Sequence, residues 1–146
     1  MFDSKNILYV FTILEAIEKI TIYSQDFDNE ENFYYANKQL NFNATVNLLI
    51  AIGEENKKID KELKTSNTIN WKNLSAMRDK ISHDYRGVDE SIVWSVIQEY
   101  LPKLKTVLIE IIPKIENYQI YLEEALKSEY YEDLFYLKEM LRIKND

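Results

Sequence analysis

The sequence predicts an all-α protein, a bundle of four to five helices formed by residues 1–146 as one domain. Three observations carry this. The chain contains only two glycines and two prolines, fewer turn residues than a sheet of short strands requires. Its apolar residues recur at steps of three and four along most of its length. A chain of 146 residues builds one real core but is short for two domains, and it shows no internal repeat, low-complexity tract or linker.

A first helix is expected from about Ser4 to Ser24, with Ile7, Val10, Phe11, Leu14 and Ile17 on one stripe and Ser4 as N-cap. A polar stretch around Asp26 to Asn29 precedes a second helix of roughly 30 residues through Leu40, Ala44, Leu48, Ala51, Ile52, Ile59 and Leu63. Gly53 interrupts that helix at a cost of about 1 kcal/mol relative to alanine, which points to a close helix contact at this position. Residues Thr65 to Asn70 have loop chemistry, and Asn70 can cap a third helix beginning at Trp71. The turn Arg86-Gly87-Val88 leads to Asp89 as the N-cap of a fourth helix, which carries Val93, Val96, Ile97, Tyr100, Leu104, Val107, Leu108, Ile111 and Ile115. Pro102 and Pro113 fall inside that pattern, so a kink or a break into two pieces is expected there. Leu122, Leu126, Leu134, Leu137 and Leu141 mark a last amphipathic stretch, which could pack on its own bundle or on a second copy.

Composition narrows the function. There are no cysteines, so disulfides and thiolate metal sites are excluded and a reducing cytoplasm fits. The apolar run Ile7 to Phe11 is followed closely by Glu15 and Glu18, too short and too charged for a signal sequence or a membrane span. A net charge of -7 argues against broad nonspecific attraction to nucleic acid or anionic lipid. Between Lys72 and Lys105, however, six basic residues face five acidic ones, and this near-neutral window could tolerate an anionic substrate.

The third helix holds an anomaly inside that window. With Trp71 at 0° on a helical wheel, Leu74, Ile81 and Tyr85 fall between about 280° and 320°, and Arg78 falls at about 340°, inside the apolar stripe. A charge there must be paired with a carboxylate or reach a wet cleft. His83, the single histidine, falls at about 120°, away from Arg78. Either the helix distorts near Ser82, or the histidine meets an arginine across a subunit interface.

Residues 78 to 85 read RDKISHDY, which resembles the RX4HXY motif of the HepT-like HEPN toxins, ribonucleases of prokaryotic toxin–antitoxin pairs. The surroundings agree: IGEENKKI at 52–59 is similar to the family's IGE-containing helix, INWKNLSAMRDKISHDY at 69–85 to its Trp-then-motif segment, and GVDESIVWSVIQEYLPKLK at 87–105 to the stretch after the motif. The likeness covers residues of about 48 to 108. It implies a HEPN-type bundle that dimerises, as a homodimer or higher even oligomer, and acts as a metal-independent endoribonuclease with its site in the cleft between subunits. Arg78 and His83 match the family's catalytic pair and Asp79 the polar residue that follows the arginine. The implied partner is a minimal nucleotidyltransferase antitoxin that adds AMP to the motif tyrosine, here Tyr85. No family motif is recognisable from Asn117 to Asp146, which reads as an additional C-terminal helix at about 117–146.

The chemistry is coherent from below. Cleaving RNA without a metal needs proton transfers at the 2'-hydroxyl and at the leaving 5'-oxygen, which histidine suits, and stabilised phosphoryl oxygens, which the guanidinium fork suits. One chain offers one histidine, whereas a symmetric dimer brings two histidines and two arginines to one cleft. Tyr85, on the Arg78 side of the wheel, could contact substrate, and a nucleotide on its hydroxyl would add negative charge and block the cleft. Glu54 could orient Arg78 through an ion pair or be a solvated helix carboxylate. Lys80 and Arg86 could guide phosphate or be ordinary surface charges. No cofactor is expected and no metal, since the carboxylates form no recognisable site. The competing expectation is a non-catalytic HEPN-like module that binds a partner or nucleic acid without turnover.

Overall fold

The computed structural model describes residues 1–65, 69–83 and 87–140, without the side chains of Ser82, His83 and Asp133. Helices α1 (Lys5–Ser24), α2 (Glu30–Tyr35), α3 (Leu40–Lys58), α4 (Trp71–His83), α5 (Glu90–Ser95), α6 (Leu101–Ile111) and α7 (Tyr118–Lys127) follow one another, and no strand occurs among the described residues. The fold is an all-α bundle. Its middle is α1, which packs against α3, α6 and the C-terminal segment. The expected stripe of Ile7, Val10, Phe11, Leu14 and Ile17 is buried, and so are Ile13, Ala16 and Ile20, because neighbours close on α1 from several sides. Its N-terminal cap differs from expectation. Ser4 makes no side-chain cap bond, and the Asp3 carboxylate instead accepts from the Lys5 backbone N–H at 2.8 Å.

The expected 30-residue second helix is three pieces. Asn37, Lys38 and Gln39 all adopt left-handed backbone, with φ of 52°, 57° and 69°. Asparagine side chains organise this break. Asn29 caps α2 by accepting from Asn32 N–H, Asn37 Nδ2 donates to Asn41 Oδ1, and Asn41 Nδ2 donates to the Tyr23 carbonyl. Such local bonds compete with the helix ladder. At its other end α3 stops at Lys58 because buried Asn6 captures the next turn: its Oδ1 accepts from Asp60 N–H at 2.9 Å and its Nδ2 donates to Asp60 Oδ2 at 3.0 Å. Lys64 Nζ then donates to the Asn56 carbonyl, which also accepts from the Ile59 backbone N–H. The buried stripe of α3 is Phe42, Thr45, Val46, Leu49, Ile52, Gly53 and Asn56; of the expected residues Ile52, Ile59 and Leu63 are buried, whereas Ala44, Leu48 and Ala51 are half-buried and Leu40 is largely exposed.

Asp89 caps α5 as expected, accepting from Ser91 N–H at 2.8 Å. Between α5 and α6 the chain widens into a π-helical turn over Val96–Tyr100, with Leu101 N–H bonded to the Val96 carbonyl. Pro102 follows immediately. The wider turn accommodates a residue that lacks a donor and whose ring would crowd the carbonyl four residues back. Pro113 lies in a 3-10 turn, Ile112–Lys114, where this helical run ends.

The C-terminal segment is not one helix. After α7 it continues as a 3-10 stretch, Glu129–Leu137, that packs along α1 of the same chain. Leu122, Leu134 and Leu137 are fully buried, whereas Leu126 is half-buried and Leu141 lies outside the described residues. Lys105 ties this segment to the bundle: its Nζ pairs with Glu18 at 2.7 Å and sits 4.3 Å from the centre of the Tyr136 ring.

Candidate active site

Leu74 and Ile81 are buried, and Asn56 Nδ2 donates to the Trp71 carbonyl at 3.3 Å, so α4 is drawn against α3 from its first residue. This pose turns position 78 toward Gly53 on α3. A Cβ placed on Gly53 would lie 2.5 Å from Arg78 Cβ, 2.9 Å from Arg78 Cγ and 3.3 Å from the Leu74 carbonyl oxygen. The close helix contact foreseen at Gly53 is therefore real, and what fills it is the stem of the misplaced arginine.

The guanidinium emerges beyond that contact between carboxylates from both helices. Nε pairs with Glu54 Oε1, and Nη1 donates to Asp79 Oδ1 at 3.0 Å. Arg78 Nε and Glu54 Oε1 are both sealed from solvent and make no hydrogen bond among the described residues, so their mutual ion pair is what offsets the burial of each. Lys57, one turn after Glu54 on α3, lies 3.5 Å from Asp79 Oδ1. These contacts hold the Asp79 carboxyl below its usual range, the Arg78 hydrogen bond first and the Lys57 charge after it. The Arg78 side chain is 30% exposed: its aliphatic part is covered, its tip reaches the surface, and neither ion pair uses Nη2. Arg78 thus has both of the accommodations open to a charge on an apolar stripe, a paired carboxylate and access to water. Glu54 is the ion-pair partner of Arg78 rather than a merely solvated carboxylate.

The backbone of α4 is helical from Trp71 through His83, and residues 84–86, where a distortion after Ser82 would continue, lie outside the described residues. On a continuous helix positions 78 and 83 stand about 140° apart. Tyr85 and Arg86 lie outside the described residues, as does the His83 side chain. Lys80 is exposed and lines a small cavity with Met77, Ile81 and Val88, apart from the Arg78 cluster. Beside it a groove of about 390 Å³ between α4 and the π-helical turn is lined by Asn73, Leu74, Met77, Val96 and Tyr100, among others. Tyr100 donates its hydroxyl to the Asn70 carbonyl, and burial pushes its pKa up to about 12. Trp71 and Trp94 are half-buried and packed against the core. Sequence reasoning missed Lys57, whose partner Asp79 lies on another helix. Among the described residues no group of three or more histidine, cysteine or acidic side chains is placed to hold a metal ion, and no helix is long and apolar enough to cross a membrane.

Comparison with known proteins agrees with the motif. Residues 13–111 match the family described as Ribonuclease HepT-like. The chain is 35% identical over 98 residues to a Thermococcus cleftensis protein named Probable ribonuclease HepT, covering 66% of this chain and 86% of that one. It is 34% identical over 110 residues to a Methanocaldococcus jannaschii protein named as a putative RNase, covering 75% of this chain and 92% of the relative. A second protein of that archaeon, named gamma-glutamylcyclotransferase and putative RNase, is 33% identical over 111 residues, but the chain spans only 49% of its length. No solved structure matches. The matched span contains α3 and α4 whole, with Gly53, Glu54, Lys57, Arg78 and Asp79, and leaves out the C-terminal segment. The chain belongs to the HepT-like ribonuclease family.

Proposed function

We propose that this protein is a metal-independent endoribonuclease, the toxin of a HEPN and nucleotidyltransferase toxin–antitoxin pair that works in the cytoplasm. The observation that carries this reading is the seating of Arg78. Its charge is held at the edge of a packed helix pair by Glu54 and Asp79, with part of its donor fork facing water. A guanidinium fixed in advance loses little freedom when it meets the non-bridging oxygens of a phosphodiester, and it stabilises the charge that develops there.

His83 takes the proton of the 2'-hydroxyl or returns one to the 5'-oxygen as the P–O5' bond breaks. Positions 78 and 83 face apart on one α4, which favours a cleft between two copies: the Arg78 of one copy works with the His83 of the other, and both proton transfers have a histidine. The partner antitoxin, a minimal nucleotidyltransferase, silences the site by transferring AMP from ATP to the Tyr85 hydroxyl, the α–β phosphoanhydride bond breaking and pyrophosphate leaving.

Purified protein is expected to cleave RNA in the presence of EDTA, and Arg78→Ala and His83→Ala are each expected to lose that activity by at least about a hundredfold. Full activity in either variant overturns the assignment. RNA binding without turnover in the native protein would point instead to a non-catalytic binding module.

A further inference from the structure

We propose that Gly53 is a positioning residue for Arg78: the missing side chain at 53 is the seat that brings the guanidinium to Glu54. This rests on the ribonuclease reading for its kinetic consequence, but not for its geometry. Glycine is disfavoured inside a helix, and Gly53 sits well inside α3, five residues before its end, with helical backbone and no positive φ. Conformational freedom therefore does not explain it.

Steric space does. The atoms a Cβ would strike are Arg78 Cβ at 2.5 Å, Arg78 Cγ at 2.9 Å and the Leu74 carbonyl oxygen at 3.3 Å. The first is fixed to the α4 backbone and the third belongs to it, so neither escapes by a side-chain rotation. Alanine at 53 therefore forces α4 off α3 at the turn that carries Arg78. That separates Nε from Glu54 Oε1, two buried atoms that make no hydrogen bond among the described residues and are offset only by their ion pair. Gly53 is buried together with Ile52 and Asn56, and Asn56 anchors the start of α4, so α4 cannot drift freely to relieve the contact. With its start held, α4 shifts at the Arg78 turn, and the guanidinium shifts with it.

Misplacement of a reacting group by about 1 Å can cost on the order of a hundredfold in rate. Gly53→Ala is accordingly expected to lower kcat for RNA cleavage by about a hundredfold while KM changes by less than about threefold. An independent readout is the Arg78 Nε–Hε resonance, identified by its absence in Arg78→Lys. In the native protein it should be shifted downfield and slow to exchange, because Nε lies against the Glu54 carboxylate in a site sealed from water. In Gly53→Ala it should move toward the position of a solvated arginine, as in Glu54→Ala. A Gly53→Ala protein with native kcat or an unchanged Nε–Hε resonance overturns the proposal.

A double-mutant cycle covers the case in which Gly53→Ala folds poorly. In an Arg78→Gly background position 78 has no Cβ to meet, so Gly53→Ala should be tolerated there and destabilising only when Arg78 is present. Equal destabilisation in both backgrounds, or a double variant that also fails to fold, overturns the seat. Native protein that cleaves no RNA would remove the ribonuclease reading, while the resonance and the cycle would still decide the role of Gly53.

Discussion

The ring of Tyr131 stands edge-on to that of Phe11, with centroids 5.8 Å apart and planes at 61°. Phe11 belongs to the central helix and Tyr131 to the C-terminal segment, so this pair fixes where the tail goes: onto its own bundle. Leu134 and Leu137, fully buried beside it, extend the same contact.

Leu134→Ala is therefore expected to destabilise the chain by about 2–5 kcal/mol, the range for truncating a buried leucine. In thermal unfolding this corresponds to a drop of several degrees for a chain of this size. Removal of residues 118–146 should cost more, since it strips cover from Phe11. Urea midpoints check both, and a loss below about 1 kcal/mol for Leu134→Ala would show that the tail contributes little to the fold.

Asp60 supplies an acid limb. Its carboxyl is held below the usual 3.8, chiefly by the hydrogen bond from Asn6, which outweighs the opposing desolvation, with the Lys5 charge adding a smaller push in the same direction. A depressed folded value means stability that is fully present above about pH 4 and lost as pH falls through the folded pKa. Asn6→Ala removes the main cause, so its stability should fall less steeply with acid than that of the native chain, from a lower starting point. Denaturant midpoints between about pH 2.5 and 6 test this. Parallel curves for the two proteins would show that Asn6 does not set the Asp60 titration.

Asp79 is likewise held ionised below its usual range by Arg78 and Lys57, so it carries its charge throughout the interval in which histidine titrates. The pH dependence of RNA cleavage between about pH 5 and 8 should then belong to His83. Asp79→Asn is expected to lower kcat on the order of tenfold by freeing one side of the Arg78 fork, yet to keep the acid limb, moved by less than about half a unit. Disappearance of the limb in Asp79→Asn would assign the titration to Asp79 instead.

Much of this site could be read from the chain. Arg78 betrayed itself by standing on an apolar stripe, and Gly53 by interrupting a helical one, because both are departures from a local period. What could not be read was that these departures answer each other. The residues are 25 positions apart in sequence, and nothing periodic links them. Lys57 was hidden for a related reason: its significance is a charge on another helix, Asp79.

Helix ends show the same division. Asp89 was legible as a cap because its bond, to Ser91 N–H, is made two residues away. The end of α3 was not, because Asn6 on α1 makes it, 54 residues off. Taken alone, the sequence determined the all-α class, most of the apolar stripe on α1 and on the run through α5 and α6, and the motif that marks the family. Those depend on spacing along the chain, which a helix converts directly into a face. Only the tertiary structure decided where the second helical run breaks, which stripe of α3 is buried, that the C-terminal segment lies on α1, and that the open side of Gly53 is filled by Arg78. Each of these depends on which surfaces meet, and that is set by packing between helices distant in sequence.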